Sequence, residues 1–156
     1  MALREAERER IEAAAAEFPH RRSALIPALR IVQESRGCVD ADAMRDLAEA
    51  FSLHPMEVEE VATFYTMINT RPVGKHLIQV CRSISCFIMG GSPILRHLEG
   101  RLGIRVGETT RDGKFTLRTA ECLGSCGTAP VMQVGEEYHE NLTPEKVDQL
   151  LARLGK

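Results

Sequence analysis

Apolar residues recur every three to four positions through the first part of the chain, which is the spacing of amphipathic helices. We expect a first helix over residues 3–18, with Ile11 and Phe18 on one face. A second helix is expected to begin at Ser23, a favoured N-cap residue type, and to end at Gly37, where glycine readily adopts the left-handed conformation.

Two further helices follow with clear start signals. Asp40 is a favoured N-cap, and the apolar stripe behind it continues to Phe51. Pro55 suits the first position of a fourth helix, whose apolar face runs from Val58 to Tyr65. Four short amphipathic helices with short connections predict a small helical bundle over residues 1–72.

The pattern changes after residue 72, where alternating apolar residues and turn signals predict strands. The expected order is strand, helix, strand, strand, strand, helix, so the chain as a whole belongs to the α+β class, with a second domain over residues 73–156. The expected strands cover residues 75–80, 115–119, 131–134 and 137–139, and the expected helices begin at Ser92-Pro93 and Thr143-Pro144.

Composition narrows the class of protein. The chain has 156 residues, a formal net charge of −2 and 44% hydrophobic residues, so it is ordinary for a globular protein and lacks a basic face for nucleic acid. No apolar run approaches the roughly 20 residues that cross a bilayer, and the charged N-terminus does not resemble a secretory signal. We expect a cytoplasmic protein without direct membrane insertion, either free or peripheral on the cytoplasmic face of the membrane through a complex.

The five cysteines are the most informative residues. Four of them form two close pairs, Cys81-x4-Cys86 and Cys122-x3-Cys126, and Cys38 stands alone. A reducing compartment disfavours structural disulfides, so the pairs are candidates for metal ligation and Cys38 for a structural thiol.

An iron–sulfur cluster requires thiolates that converge from loops, with backbone N–H groups close to the sulfur atoms. Four thiolates, two sulfides and two ferric ions sum to a charge of about −2, and one added electron makes about −3, so a buried cluster needs compensating dipoles or cations. Gly90, Gly91, Gly124 and Gly127 would let the backbone approach, and Arg82 is a candidate cation or an ordinary solvated side chain.

Other interpretations of the cysteines remain open. Structural zinc usually takes C-x2-C pairs, so these spacings make zinc less natural without excluding it. A thioredoxin-type dithiol needs C-x-x-C, and a Rieske centre needs two histidines with two cysteines; neither pattern is present in either pair. Unrelated core thiols are the remaining alternative. The sequence also lacks a nucleotide-binding glycine motif and a hydrolytic triad, which predicts that partners hold the substrates.

Several motifs together resemble the NuoE-like [2Fe–2S] subunit family of NADH:quinone oxidoreductase (complex I). The two cysteine segments carry most of the resemblance. The second segment contains the run Cys122-Leu123-Gly124-Ser125-Cys126, followed by Gly-Thr-Ala-Pro. The matching segments are residues 62–67, 71–75, 80–86, 121–130 and 140–146.

This resemblance implies a helical bundle over residues 1–72 and a thioredoxin-like [2Fe–2S] ferredoxin domain over residues 73–156. It implies that Cys81, Cys86, Cys122 and Cys126 ligate one [2Fe–2S] cluster, and we expect each close pair to take one iron. The chain would then be an electron-transfer subunit of an NADH dehydrogenase.

The resemblance also implies a partner and a host complex. A NuoF-like flavoprotein subunit would carry FMN and bind NADH, with no substrate site on this chain. Complex I is the first expectation for the host. The alternative is the diaphorase module of an NAD-reducing or bifurcating hydrogenase or of an NAD-dependent formate dehydrogenase.

Overall fold

A computed structural model describes residues 3–155 of the chain, which divides into two compact units, Met1–Pro72 and Val73–Lys156. Met1, Ala2 and Lys156 belong to the expected domain ranges but lie outside the described residues. The described residues form helices and one four-stranded sheet, which confirms the α+β class. Every helix among them is too short or too polar to cross a lipid bilayer.

The first unit is helical, as predicted. Asp40 caps α3 by accepting the N–H of Ala43 at 2.9 Å, and Pro55 is the first residue of α4. Gly37 ends α2 with φ of +85°. The helices are α1 (Glu5–Ala15), α2 (Leu25–Arg36), α3 (Ala41–Phe51) and α4 (Pro55–Phe64), with a 3-10 turn at Arg21–Ala24 before α2.

Three local predictions in this unit are wrong. Helix α1 ends before Phe18, because Phe18 precedes Pro19 and a residue before proline is disfavoured in the helical conformation. Ser23 lies inside the 3-10 turn and does not cap α2. Tyr65 follows the end of α4 in an extended conformation, so it does not share the buried face of that helix.

A buried charged network joins three helices of the first unit. Arg36 on α2 donates to Glu7 on α1 at 2.6 Å and to Asp46 on α3 at 3.1 Å. The hydrogen bond from Arg36 outweighs the effect of burial and lowers the pKa of Glu7 to about 2. Because every buried charge in this network has a partner, the network ties the helices together instead of opposing their packing.

The described residues of the second unit form the sheet and three helices. Strand β1 lies between β2 and β3, and β4 forms the edge beside β3. Helix α6 connects the parallel strands β1 and β2 and packs its apolar face on the sheet. The strands are β1 (His76–Cys81), β2 (Phe115–Ala120), β3 (Met132–Val134) and β4 (Glu137–His139), and the helices are α5 (Ile84–Ile88), α6 (Gly91–Leu102) and α7 (Pro144–Leu154), with a 3-10 turn at Cys126–Thr128.

Strand pairing brings the two cysteine segments to one edge of the sheet. Strands β1 and β2 are parallel, and Cys81 at the end of β1 is in register with Ala120 at the end of β2. The chain leaves both strands at the same edge, since the carboxyl ends of parallel strands coincide. Cys122 follows two residues after Ala120, so it emerges beside Cys81.

Helix α5 was not predicted. Its five residues, Ile84–Ile88, are too few for a helical period to be recognised. Cys86 therefore lies on a short helix, whereas the sequence pattern placed both members of its pair on a loop.

Candidate metal centre

Cys81 and Cys86 form the buried half of the candidate site. Their exposed fractions are 4% and 2%, and their thiols are hydrogen-bonded to each other. Ala129 and Val131 pack against them, and Leu123 covers the cluster of side chains from the loop after β2. This packing leaves little room for water around either sulfur atom.

Gly91, the first residue of α6, packs closely against the backbone of this pair. A Cβ atom at position 91 would lie 2.8 Å from the carbonyl oxygen of Cys86 and 3.4 Å from that of Cys81. Only glycine permits this approach of α6 to the segment that carries the two buried sulfur atoms.

Backbone N–H groups point at three of the four candidate sulfur atoms. Cys81 accepts from the N–H groups of Ser83 and Leu123, and Cys86 accepts from that of Val131. Cys122 accepts from the N–H of Gly124 at 3.4 Å, and the φ of +78° at Gly124 is one that glycine adopts without strain.

The same contacts displace the pKa values of the buried thiols in opposite directions. Burial raises the pKa of Cys81, but the N–H groups of Ser83 and Leu123 and the thiol of Cys86 outweigh it, so the pKa lies below the ordinary value. Burial and the hydrogen bond with Cys81 raise the pKa of Cys86. The thiolate, which is the form that ligates metals, is therefore favoured at Cys81.

Cys122 and Cys126 form the exposed half of the site. The charge of Cys126 contributes to the raised pKa of Cys86, which relates this half to the buried pair. Within residues 3–155, no three His, Cys, Asp or Glu side chains form a group that could hold a metal ion. A [2Fe–2S] cluster divides its four protein thiolates between two irons.

Arg82, the candidate cation, forms an ion pair with a carboxylate. The Nε atom of Arg82 lies 3.3 Å from a carboxylate oxygen of Glu121, and both side chains are exposed. The groups directed at sulfur are thus backbone N–H dipoles, and most of them come from residues other than glycine. The glycines are predictable from the sequence, whereas Ser83, Leu123 and Val131 are not, because no local pattern reveals which N–H groups a tertiary fold directs at a sulfur atom.

Cys38 belongs to the first unit and is not one of the four candidate ligands. Its thiol is 8% exposed, and burial together with the charge of Asp40 raises its pKa. A buried thiol with a raised pKa is unreactive, as expected for a structural residue.

The donor set fits an iron–sulfur cluster. Thiolate sulfur is the ligand type that such clusters take, and hydrogen bonds to sulfur lower the cost of placing their negative charge in a protein. The sequence model of the thioredoxin-like [2Fe–2S] ferredoxins matches residues 11–155, nearly the whole chain.

The chain belongs to the thioredoxin-like [2Fe–2S] ferredoxin family.

Relatives with assigned functions support the same grouping and confirm the resemblance to NuoE-like proteins. The chain is 50% identical to the second E-type subunit of NADH-quinone oxidoreductase from Rhizobium meliloti over 144 residues, covering 92% of this chain and 86% of the relative. It is 44% identical to the E-type subunit of NADH-quinone oxidoreductase from Escherichia coli over 151 residues, covering 97% of this chain and 91% of the relative.

Similarity extends to a solved structure of an NAD+-reducing [NiFe]-hydrogenase. The TM-score is 0.73 with 26% identity, and the alignment covers 84% of this chain. It spans only 22% of the hydrogenase chain, so the likeness concerns one part of that protein. Membership of the ferredoxin family supports a [2Fe–2S] cluster as the cofactor and confirms the predicted fold.

Proposed function

We propose that this chain is the [2Fe–2S] electron-transfer subunit of an NADH-quinone oxidoreductase. Cys81 and Cys86 would hold one iron, and Cys122 and Cys126 the other. The observation that carries the proposal is the set of backbone N–H groups directed at three of these sulfur atoms, in a chain that is 50% identical to a NuoE-like relative.

The proposed cluster supplies reversible storage of one electron. The protein around it has two tasks. Ala129, Val131 and Leu123 exclude water from the buried pair, and the N–H dipoles stabilise the extra negative charge that arrives with the electron. The exposed positions of Cys122 and Cys126 leave that side of the site open to an electron-transfer partner.

The two units would divide the work. We assign cluster binding to residues 73–156 and part of the docking surface to the helical bundle of residues 1–72. Phe64 and Met67 of the bundle are 76% and 56% exposed, which is unusual for large apolar side chains and suits contact with another protein.

A second apolar surface lies directly beside the buried cysteines. We call it the α5 patch; its members share helix α5 or follow it by one residue, and they are Ile84, Phe87, Ile88 and Met89, with exposed fractions of 68%, 61%, 71% and 60%. An apolar surface next to an electron carrier suits a partner that must bring its own redox group close. We propose that a NuoF-like flavoprotein subunit, carrying FMN and binding NADH, covers this patch.

The host complex follows from sequence identity. The NuoE-like relatives from quinone oxidoreductases share 44–50% identity with the chain over most of its length, whereas the NAD+-reducing hydrogenase shares 26%. Complex I is therefore the favoured host, and we propose that the chain lies within it on the cytoplasmic face of the membrane. The structural likeness to the hydrogenase keeps an NAD-linked diaphorase module as the second candidate.

Metal analysis tests the proposed function. Protein purified without oxygen is expected to be red-brown, to contain about two irons and two acid-labile sulfides per chain, and to give one paramagnetic signal after reduction. The colour would come from charge transfer between sulfur and ferric iron, and the signal from the one unpaired spin that an added electron leaves on the coupled pair of irons. A colourless protein with about one zinc would contradict the proposal in favour of a structural metal site, and a metal-free dithiol in favour of thiol–disulfide chemistry.

The α5 patch is tested by placing a charge within it. Ile88→Glu is expected to weaken association with the flavoprotein subunit by about tenfold or more, because the carboxylate would be buried without a partner. The control is Val106→Glu, which changes another exposed apolar residue of the same unit, beyond the end of α6. Equal affinities of the two variants, both with full iron content, would exclude the patch as the docking surface.

A further inference from the structure

We infer that Tyr138 tunes the reduction potential of the cluster through one peptide group. The Tyr138 hydroxyl donates to the carbonyl oxygen of Leu123 at 3.0 Å. The N–H of the same peptide group belongs to Gly124 and donates to the Cys122 sulfur at 3.4 Å. One peptide plane therefore links the phenol to a sulfur atom that the proposed function assigns to the cluster, and this inference rests on that assignment.

Leu123 occupies a central position in this arrangement. Its own N–H donates to the Cys81 sulfur, while its carbonyl accepts from Tyr138. A rotation of the Leu123–Gly124 peptide would turn the Gly124 N–H away from Cys122. Gly124 adopts its φ of +78° without strain, but glycine also adopts many other conformations. An additional contact is therefore needed to select the one that directs the Gly124 N–H at Cys122. The Tyr138 hydroxyl is that contact.

Glu140 and Asn141 hold the loop around Cys126 by hydrogen bonds that do not involve Tyr138. Glu140 accepts from the hydroxyls of Ser125 and Thr128, and the N–H of Asn141 donates to the carbonyl of Thr128 at 2.7 Å. These bonds secure the part of the loop around Cys126. Loss of the Tyr138 hydroxyl alone should therefore leave the loop in place and affect chiefly the Leu123–Gly124 peptide.

The direction of the effect follows from charge. Reduction adds one electron and increases the negative charge on the sulfur atoms, so an N–H donor stabilises the reduced cluster more than the oxidised one. A hydroxyl bonded to the carbonyl polarises the peptide and strengthens its N–H as a donor. Removing the hydroxyl should make reduction less favourable.

Potentiometry of the full chain with its cluster tests the inference. Dithionite supplies the single electron and ferricyanide removes it, and the paramagnetic signal reports the reduced fraction. Tyr138→Phe is expected to lower the ratio of reduced to oxidised cluster about threefold at the wild-type midpoint, which is about 30 mV at 59 mV per tenfold change. The control is Tyr65→Phe, because Tyr65 is the only other tyrosine of the chain.

A second measurement separates tuning from support of the fold. The more acidic 3-fluorotyrosine, incorporated into the Tyr65→Phe protein, replaces only Tyr138 and is expected to raise the reduced fraction, because a stronger donor polarises the peptide further. If Tyr138→Phe loses its cluster, the 3-fluorotyrosine protein alone tests the inference. A raised reduction potential of that protein supports the inference, and an unchanged potential overturns it.

Equal potentials of Tyr138→Phe and Tyr65→Phe would also overturn the inference. Iron content and the paramagnetic signal of the same samples report cluster binding independently. A failure of the tuning role is thus distinguishable from a failure of the proposed ligand set.

Discussion

Replacing Cys122 with serine is expected to remove the cluster, so that purified Cys122→Ser protein is nearly colourless and contains little iron. Serine keeps the shape of the side chain but offers a protonated hydroxyl in place of a soft thiolate, which is the ligand that iron–sulfur clusters require. Cys122 is exposed, so the substitution leaves the packing of the second unit unchanged and the loss reports ligation directly.

Cys38→Ser is the matched control for this experiment. Cys38 is the one cysteine of the chain outside the two pairs, and its thiol is buried with a raised pKa. We expect this variant to keep the full iron content and visible spectrum, even if a buried hydroxyl lowers its stability. An unchanged spectrum and iron content in Cys122→Ser would rule out Cys122 as a ligand, and similar loss in both variants would point to general misfolding.

Gly91→Ala is expected to produce the second large effect, on both stability and iron content. The new Cβ would lie 2.8 Å from the carbonyl oxygen of Cys86, and this neighbour is backbone that cannot rotate away. Helix α6 or the segment carrying Cys86 must therefore shift. Overpacking of this kind costs about 1–3 kcal/mol of unfolding free energy, and the shift disturbs the geometry of the buried pair.

Gly100→Ala provides a control within the same helix. Position 100 is exposed, and a Cβ there meets no heavy atom within 4 Å. Alanine is favoured over glycine inside a helix by about 0.5–1 kcal/mol, so this variant should gain stability and retain its iron. Denaturant midpoints and iron content of the two proteins form the comparison. If Gly91→Ala matches Gly100→Ala in both, the close approach has no bearing on the site.

Much of the fold follows from local patterns. Asp40 caps α3 as predicted, and α7 begins at Thr143-Pro144 as predicted, because the N-cap interaction involves only residues within one turn. Gly37 and Gly103 end helices in the left-handed conformation, which glycine adopts most easily. The errors at Phe18 and Ser23 also have local causes, since a proline and a short 3-10 turn interrupt the apolar period there.

The ligand set is a prediction from cysteine spacing and family resemblance. The structure adds which residues pack around the candidate sulfur atoms and which N–H groups are directed at them. The sequence grouped the cysteines in pairs but contained no signal that one pair is buried and the other exposed. The contacts of Tyr138 and Gly91 were equally hidden, because each joins residues that are distant along the chain or depends on a helix too short to recognise.

The sequence by itself determined most of the helix faces, the cap at Asp40, the two cysteine pairs and the family, because each of these depends on residue type and spacing along the chain. Only the tertiary structure decided which N–H groups face which sulfur atoms. That choice depends on the parallel pairing of β1 with β2, which brings the ends of two separated segments to one edge of the sheet. Hydrogen bonds to sulfur are directional and act only over a few ångströms, so they exist only once that pairing has placed their partners together.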